Sequence, residues 1–312
     1  MDRRRPDLAR LVARWQGAPH TLAHVRDGAN AVYEFQADGT RLVLRLTEDH
    51  HRTRNQLEAE LDFVRFVASR GVLVACPLPS TEGAWVETVP DDDGDAWHAV
   101  VFTAAPGRHF RFFSADIDRP LLRAWGRAMG ALHAASREFV PVATRRRPHW
   151  AEQDTTRCDG STLPPAEIEA LREHARVSEW LASLRATPES WGMIHGDFER
   201  TNFVMDGATL RVYDFDDACY HWYLADIAHG LWAFRDAPPP DRSRFLTWFL
   251  EGYREQSALE MDAREHFSWF VRVRSLSLFL NRLQAAPAII QSAADGVWER
   301  RMRAAFEAQV RW

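Results

Sequence analysis

Apolar residues at Leu8, Leu11, Val12 and Trp15 recur with the spacing of one helix face and predict a helix over 7–16. The period then falls to two. Residues 31–36 and 41–47 are strand-like runs rich in Val, Tyr, Phe and Leu, and Ala37-Asp38-Gly39-Thr40 between them is a hairpin turn. Helical spacing returns over 54–69, with Leu57, Leu61, Val64 and Val67 on one stripe and Gly71 as the stop. Two further strands are predicted at 84–88 and 97–103, separated by the turn-rich Pro90-Asp91-Asp92-Asp93-Gly94. The first hundred residues read as an antiparallel sheet with one helix inserted in it.

From Arg119 onward the pattern is mainly helical, over 120–137, 165–185, 225–234, 241–256, 263–283 and 296–310. One stretch, 191–217, breaks it. There two short apolar runs, 203–205 and 210–213, flank Asp206-Gly207, a second hairpin signal. Pro106-Gly107 punctuates the join between the two patterns, which divides the chain into 1–104 and 105–312 and predicts an α+β architecture.

Composition narrows the possible partners. With 44 acidic against 39 basic residues the net charge is −5, which argues against nucleic acid as a partner. No apolar run approaches the roughly 20 residues that span a bilayer, and Met1-Asp2-Arg3-Arg4-Arg5-Pro6 lacks the apolar core of a signal peptide, so no membrane partner is expected. Cys76, Cys158 and Cys219 are odd in number and scattered, which suits a reducing cytoplasm. Arg3-Arg4-Arg5 and Arg145-Arg146-Arg147 read as solvated surface. The chain contains no lysine, so all 39 basic residues are arginines.

The chemistry concentrates in Ile194-His195-Gly196-Asp197-Phe198-Glu199-Arg200-Thr201-Asn202-Phe203 and in Val212-Tyr213-Asp214-Phe215-Asp216-Asp217. If 206–209 is the hairpin loop, Met205 pairs with Leu210, and counting outward sets Asn202 opposite Tyr213 and next to Asp214. An amide oxygen and a carboxylate brought together at the open end of a hairpin are hard ligands that suit Mg²⁺, which keeps several waters and takes one or two carboxylates plus substrate phosphates. A separate carboxylate, Asp197, can orient a hydroxyl and take its proton as the oxygen attacks phosphorus.

His195-Gly-Asp197-x-x-x-x-Asn202 followed by Asp214-Phe-Asp resembles the aminoglycoside phosphotransferase and choline kinase-like superfamily. The resemblance covers nearly the whole chain. It implies a two-lobed protein-kinase-like fold, with a small antiparallel-sheet N-lobe carrying one helix and a larger, mainly helical C-lobe. It also implies ATP and Mg²⁺, with Asp197 as catalytic base, Asn202 and Asp214 on the metal, and Asp226 of Asp226-Ile227-Ala228 structural at a helix start. Asp27-Gly28-Ala29-Asn30 falls where the family places its phosphate-covering loop, which makes Gly28 and Asn30 nucleotide candidates. The kinase strand lysine is replaced by Arg45, a planar forked donor, with Glu60 as its expected partner and Glu58 as the other register. Phe102-Thr103-Ala104-Ala105 corresponds to the hinge, so Phe102 and Ala104 are expected beside the adenine. Between Asp197 and Asn202 the chain has Phe198-Glu199-Arg200-Thr201 where relatives often have Leu-His-Pro-Gly, and Arg200 becomes a candidate to stabilise charge on the transferred phosphoryl group.

The core motif does not name the acceptor. The short path from Asp214 to Asp226 leaves little room for a peptide-docking loop and favours a small hydroxylated molecule of antibiotic, amino alcohol or sugar type. Phe249-Leu250-Glu251-Gly252-Tyr253 resembles a branch of stress-response Ser/Thr kinase-like phosphotransferases, so protein phosphorylation is the competing reading, with a non-catalytic nucleotide-binding module the third. The expectation is a cytoplasmic enzyme, monomeric or homodimeric.

Overall fold

The computed structural model describes residues 5–90, 96–109, 117–152 and 168–285. The chain forms two compact units. The first comprises 1–109, 139–147 and 204–216, and the second 110–138, 148–203 and 217–312.

In the first unit, α1 (Leu8–Ala13) leads into β1 (Ala18–Arg26), β2 (Asn30–Ala37) and β3 (Thr40–Glu48), followed by α2 (Arg54–Ser69), β4 (Pro77–Leu78), β5 (Glu87–Pro90), β6 (Ala96–Thr103) and β7 (Arg108–His109). The main sheet runs β1-β2-β3-β6-β4, with β5 also on β6, and its pairings are antiparallel. Alternation sorts its faces. Leu42, Leu44 and Leu46 of β3 join Tyr33, Phe35, Ala99 and Val101 in a core closed by Leu11 and Val12 of α1 and by Trp15 just after it. On the opposite face Val100 packs with Leu57 and Leu61 of α2. Helix α2 has the expected bounds because both ends are specified. Thr53 and Gln56 form a reciprocal capping box, and Gly71 follows its end at φ 87°.

In the second unit come α3 (Arg119–Ser136), α4 (Ile168–Ser183), β8 (Trp191–Ile194), β11 (Cys219–Trp222), α5 (Tyr223–Leu231), α6 (Pro239–Tyr253) and α7 (Ala263–Ala285). The hairpin that the chain makes between β8 and β11, β9 (Phe203–Asp206) with β10 (Thr209–Val212), falls from residue 204 on in the first unit, in a small sheet ordered β10-β9-β7. β8 and β11 pair antiparallel, Ile194 with Cys219 through Trp191 with Trp222. Helices α3 and α6 meet backbone to backbone. A Cβ on Gly126 would stand 1.9 Å from the Phe249 carbonyl oxygen, and one on Gly252 would stand 1.9 Å from that of Arg123.

The α+β class follows the sequence pattern, with several local differences. β1 is not predicted, because most of its nine residues are exposed and no alternation is visible. β5 begins at Glu87 rather than 84, and the 225–234 helix starts earlier, at Tyr223, and ends in a 3₁₀ turn over Trp232–Phe234. Of the Arg145–147 run, only Arg146 is exposed surface as expected. Arg147 is buried and donates to the backbone oxygen of Asp216, while Arg145 is half-buried against Asp62 and Glu58. Arg3, Arg4, Cys158, the 91–94 turn, the first residues of the 165–185 helix and the 296–310 helix lie outside the described residues.

Gly126→Ala should lower unfolding free energy in a urea melt by about 3 kcal/mol, since neither backbone can yield without separating two helices. Gly28→Ala, where a Cβ meets nothing within 4 Å, should leave the melt unchanged.

Candidate active site

The His195–Asn202 segment leaves β8 in a turn that only a particular backbone allows. Gly196 has φ 82°, and a Cβ there would stand 2.2 Å from the Asp217 carbonyl oxygen. The turn is pinned from below by Asp226 in the first turn of α5. Oδ2 accepts the His195 N–H and Oδ1 the Gly196 N–H, each at 3.0 Å. Asp226 is fully buried, as is its side-chain partner His133 of α3, whose Nε2 lies 3.1 Å from Oδ2. Burial opposes the charge on Asp226, but the His133 hydrogen bond, with the imidazoles of His195 and His229 nearby, holds its carboxyl below the usual range. Burial likewise keeps His133 neutral at pH 7, so Nε2–H donates to Asp226 and Nδ1 accepts the Tyr253 hydroxyl of α6 at 2.9 Å.

His229, one turn after Asp226 on α5, donates Nδ1–H to the Gly196 carbonyl at 3.0 Å. Burial, then the charge of Arg274, pushes its pKa down to about 4. Above this network sits Asp197. Asn202 Nδ2 donates to its Oδ2 and to its backbone oxygen, each at 2.8 Å, and Arg274 Nη2 of α7 donates to Oδ1. With the Asn202 amide nitrogen committed to Asp197, its Oδ1 is left as a hard oxygen donor of the kind a divalent cation takes. Arg200 is exposed in the turn before Asn202.

The first unit holds the other candidates. Arg45 on β3 makes a forked pair with Glu60 of α2, Nη1–Oε1 at 2.9 Å and Nη2–Oε2 at 2.8 Å, both buried. Glu58 instead takes Arg54 and Arg145. Burial opposes the charge on Arg45, but Glu60, then Asp216 and Asp214, hold its pKa raised. Arg45 also lies over the Phe102 ring of β6, 5.3 Å from its centre. Asp214 has φ 66°, and its carboxylate is paired with Arg26 at 2.5 Å and stands 3.9 Å from Arg45. Asp216 is buried. Burial would raise its pKa, but the His51 hydrogen bond and then Arg45, Arg52 and Arg147 hold it well below the carboxylate range. Asn30 accepts the Thr47 hydroxyl at 2.6 Å, which ties the end of the Gly28 loop to β3. The Ala104 N–H donates to the Arg41 oxygen at 3.2 Å.

Arg274, His133, His229 and Arg26 escape sequence reasoning. Arg274 is 77 positions from Asp197, and its one signal is an arginine within a helix that is otherwise buried along 270–277.

Removing one partner of a buried pair strands the other charge, so Arg45→Ala should cost about 3–5 kcal/mol in a denaturant melt. His229 gives a pH dependence. The unfolded chain protonates this ring below about pH 6.5, whereas the folded chain resists until about pH 4. Stability is therefore full above that window and falls as pH drops through it, by at most about 3 kcal/mol. Melts of the wild type and His229→Asn across pH 4–7 should show a flatter profile for the variant.

The APH-type profile, described as a phosphotransferase enzyme family, matches residues 21–259. Amicoumacin kinase of Bacillus subtilis strain 168 is 27% identical over 281 residues, covering 87% of this chain and 82% of its own length. The solved amicoumacin kinase hAmiN, in complex with AMP-PNP, Ca²⁺ and Ami, superposes with a TM-score of 0.89 at 25% identity over 97% of this chain and 93% of that one. A microcompartment-associated aminopropanol kinase, at 20% identity, shares the fold with a TM-score of 0.77 over 96% and 94% of the two chains. No described helix is long and apolar enough to cross a membrane. With a family match over most of its length and the fold of these kinases, the chain belongs to the phosphotransferase enzyme family, kinases of protein-kinase-like fold that phosphorylate a hydroxyl group.

Proposed function

We propose that the protein transfers the γ-phosphoryl group of Mg-ATP to a hydroxyl of a small molecule of antibiotic or amino alcohol type, with Asp197 as the base. The observation that carries this reading is the preparation of Asp197: its backbone turn is fixed by Asp226, and each carboxylate oxygen receives a donor. A base held in this way takes the hydroxyl proton as the oxygen–phosphorus bond forms and the bond to the β-phosphate oxygen breaks, releasing ADP. Asn202 and Asp214 are the residues we assign to the divalent ion, which when bound offsets phosphate charge. Arg45, oriented by Glu60, is assigned to the nucleotide phosphates, the Gly28–Asn30 loop to their cover, and Phe102 and Ala104 to the adenine. Arg200 is the residue we assign to steadying the phosphoryl group in transfer.

The acceptor class is supported by two relatives, an amicoumacin kinase and an aminopropanol kinase, both named for small hydroxylated amines. The test incubates the chain with Mg-ATP and amicoumacin, 1-amino-2-propanol or a generic Ser/Thr protein substrate, and reads phosphorylated product by mass spectrometry. Product should form on a small molecule and fall about 10²–10⁴-fold in Asp197→Asn. Phosphate on the protein substrate alone would replace the small-molecule reading with the protein-kinase one.

A further inference from the structure

Asp197 is gripped by two side chains of different origin. Asn202 is part of the same loop, whereas Arg274 comes from α7, beyond residue 259 where the family match ends. The segment that matches the family model does not include this arginine.

Its neighbour Arg272 shows what a structural arginine looks like on the same helix. Arg272 Nε and Nη2 both bind Glu173 Oε1, at 2.7 and 2.5 Å, in a pair that ties α7 to α4, and its guanidinium lies 4.7 Å from the centre of the Trp269 ring. Arg274 is different. It touches Asp197 through Nη2, while its buried Nε has no hydrogen-bond partner among the described residues. Its charge is also the second cause, after burial, of the low pKa of His229, the ring that holds the Gly196 carbonyl.

The terminal torsion of an aspartate is soft. A carboxylate accepts on both oxygens, so one donor on each fixes its plane. We propose that Arg274 is a positioning residue for phosphotransfer, one that with Asn202 fixes the plane in which the Asp197 carboxylate meets the acceptor hydroxyl. This rests on Asp197 being the base. The proton passes from the hydroxyl to Asp197, the hydroxyl oxygen bonds to the γ-phosphorus, and the bond to the β-phosphate oxygen breaks with its electron pair leaving on ADP.

The experiment compares wild type, Arg274→Ala, Arg274→Lys and Asp197→Asn with Mg-ATP and two acceptors, water (release of inorganic phosphate) and amicoumacin. Melting temperatures are recorded for each. Arg274→Ala should lower kcat about 10–100-fold, with KM for ATP within about twofold of wild type. Ethylguanidinium should restore part of that turnover, and should not do so in Asp197→Asn. Arg274→Lys should fall between wild type and Arg274→Ala, since it keeps charge without the fork. Wild-type kcat in Arg274→Ala beside an inactive Asp197→Asn would sink the role of Arg274 and leave the base intact. Wild-type turnover in Asp197→Asn would remove both. A slow Arg274→Ala that melts early and ignores ethylguanidinium would make the contact a strut and overturn the proposal.

Discussion

The second unit depends on one buried ion. Asp226 carries a full negative charge away from water, a cost that only good compensation can offset. The compensation is the architecture. Its carboxylate takes two successive backbone N–H groups of the His195–Gly196 turn and the imidazole of His133, which in turn holds the Tyr253 hydroxyl. Helices α3, α5 and α6 and the catalytic-type loop are thereby tied to one point. The glycine contacts between α3 and α6 serve the same end, because Gly126 and Gly252 bring their backbones close beside His133 and Tyr253. With both N–H groups held, the direction of Asp197 is set before any side chain reaches it.

A second regularity concerns where the arginines stand. Asp197 is paired with Arg274, Asp214 with Arg26, and Glu60 with Arg45, while Asp216 is surrounded by His51, Arg52 and Arg147. In a chain of net charge −5, the acidic groups assigned to chemistry are each offset locally by a guanidinium. Such pairs are held by directional hydrogen bonds rather than by charge alone. A cation arriving at Asp214 would therefore compete with an existing partner, Arg26, and the loop that follows Arg26 is the Gly28 loop itself.

Much of this was legible from sequence because it is local. Helix α2 announces itself by its stripe and by Gly71, and the β2–β3 hairpin by alternation around Asp38-Gly39, while the Arg45–Glu60 pair was expected only from the resemblance to kinases. What escaped is non-local or lacks contrast. β1 hides because an edge strand exposed on most positions carries no period, and β8 and β11 are four residues each, separated by 24 residues of intervening chain. The burial of Arg147 depends on Asp216, 69 positions away, so an arginine triplet reads as surface until its partner is placed. Arg274 escapes for the same reason. Asp226 was expected at a helix start, but its two backbone hydrogen bonds could be seen only once β8 and α5 were in place.

The absence of lysine from the chain, with Arg45 the residue we assign to the nucleotide phosphates, reaches beyond catalysis. Acyl-phosphate derivatives of ATP mark kinases by acylating a primary amine beside the bound phosphates. A guanidinium held in a fork by Glu60 is not such a nucleophile, so a proteome labelled in this way would pass over this kinase, however active and abundant it was.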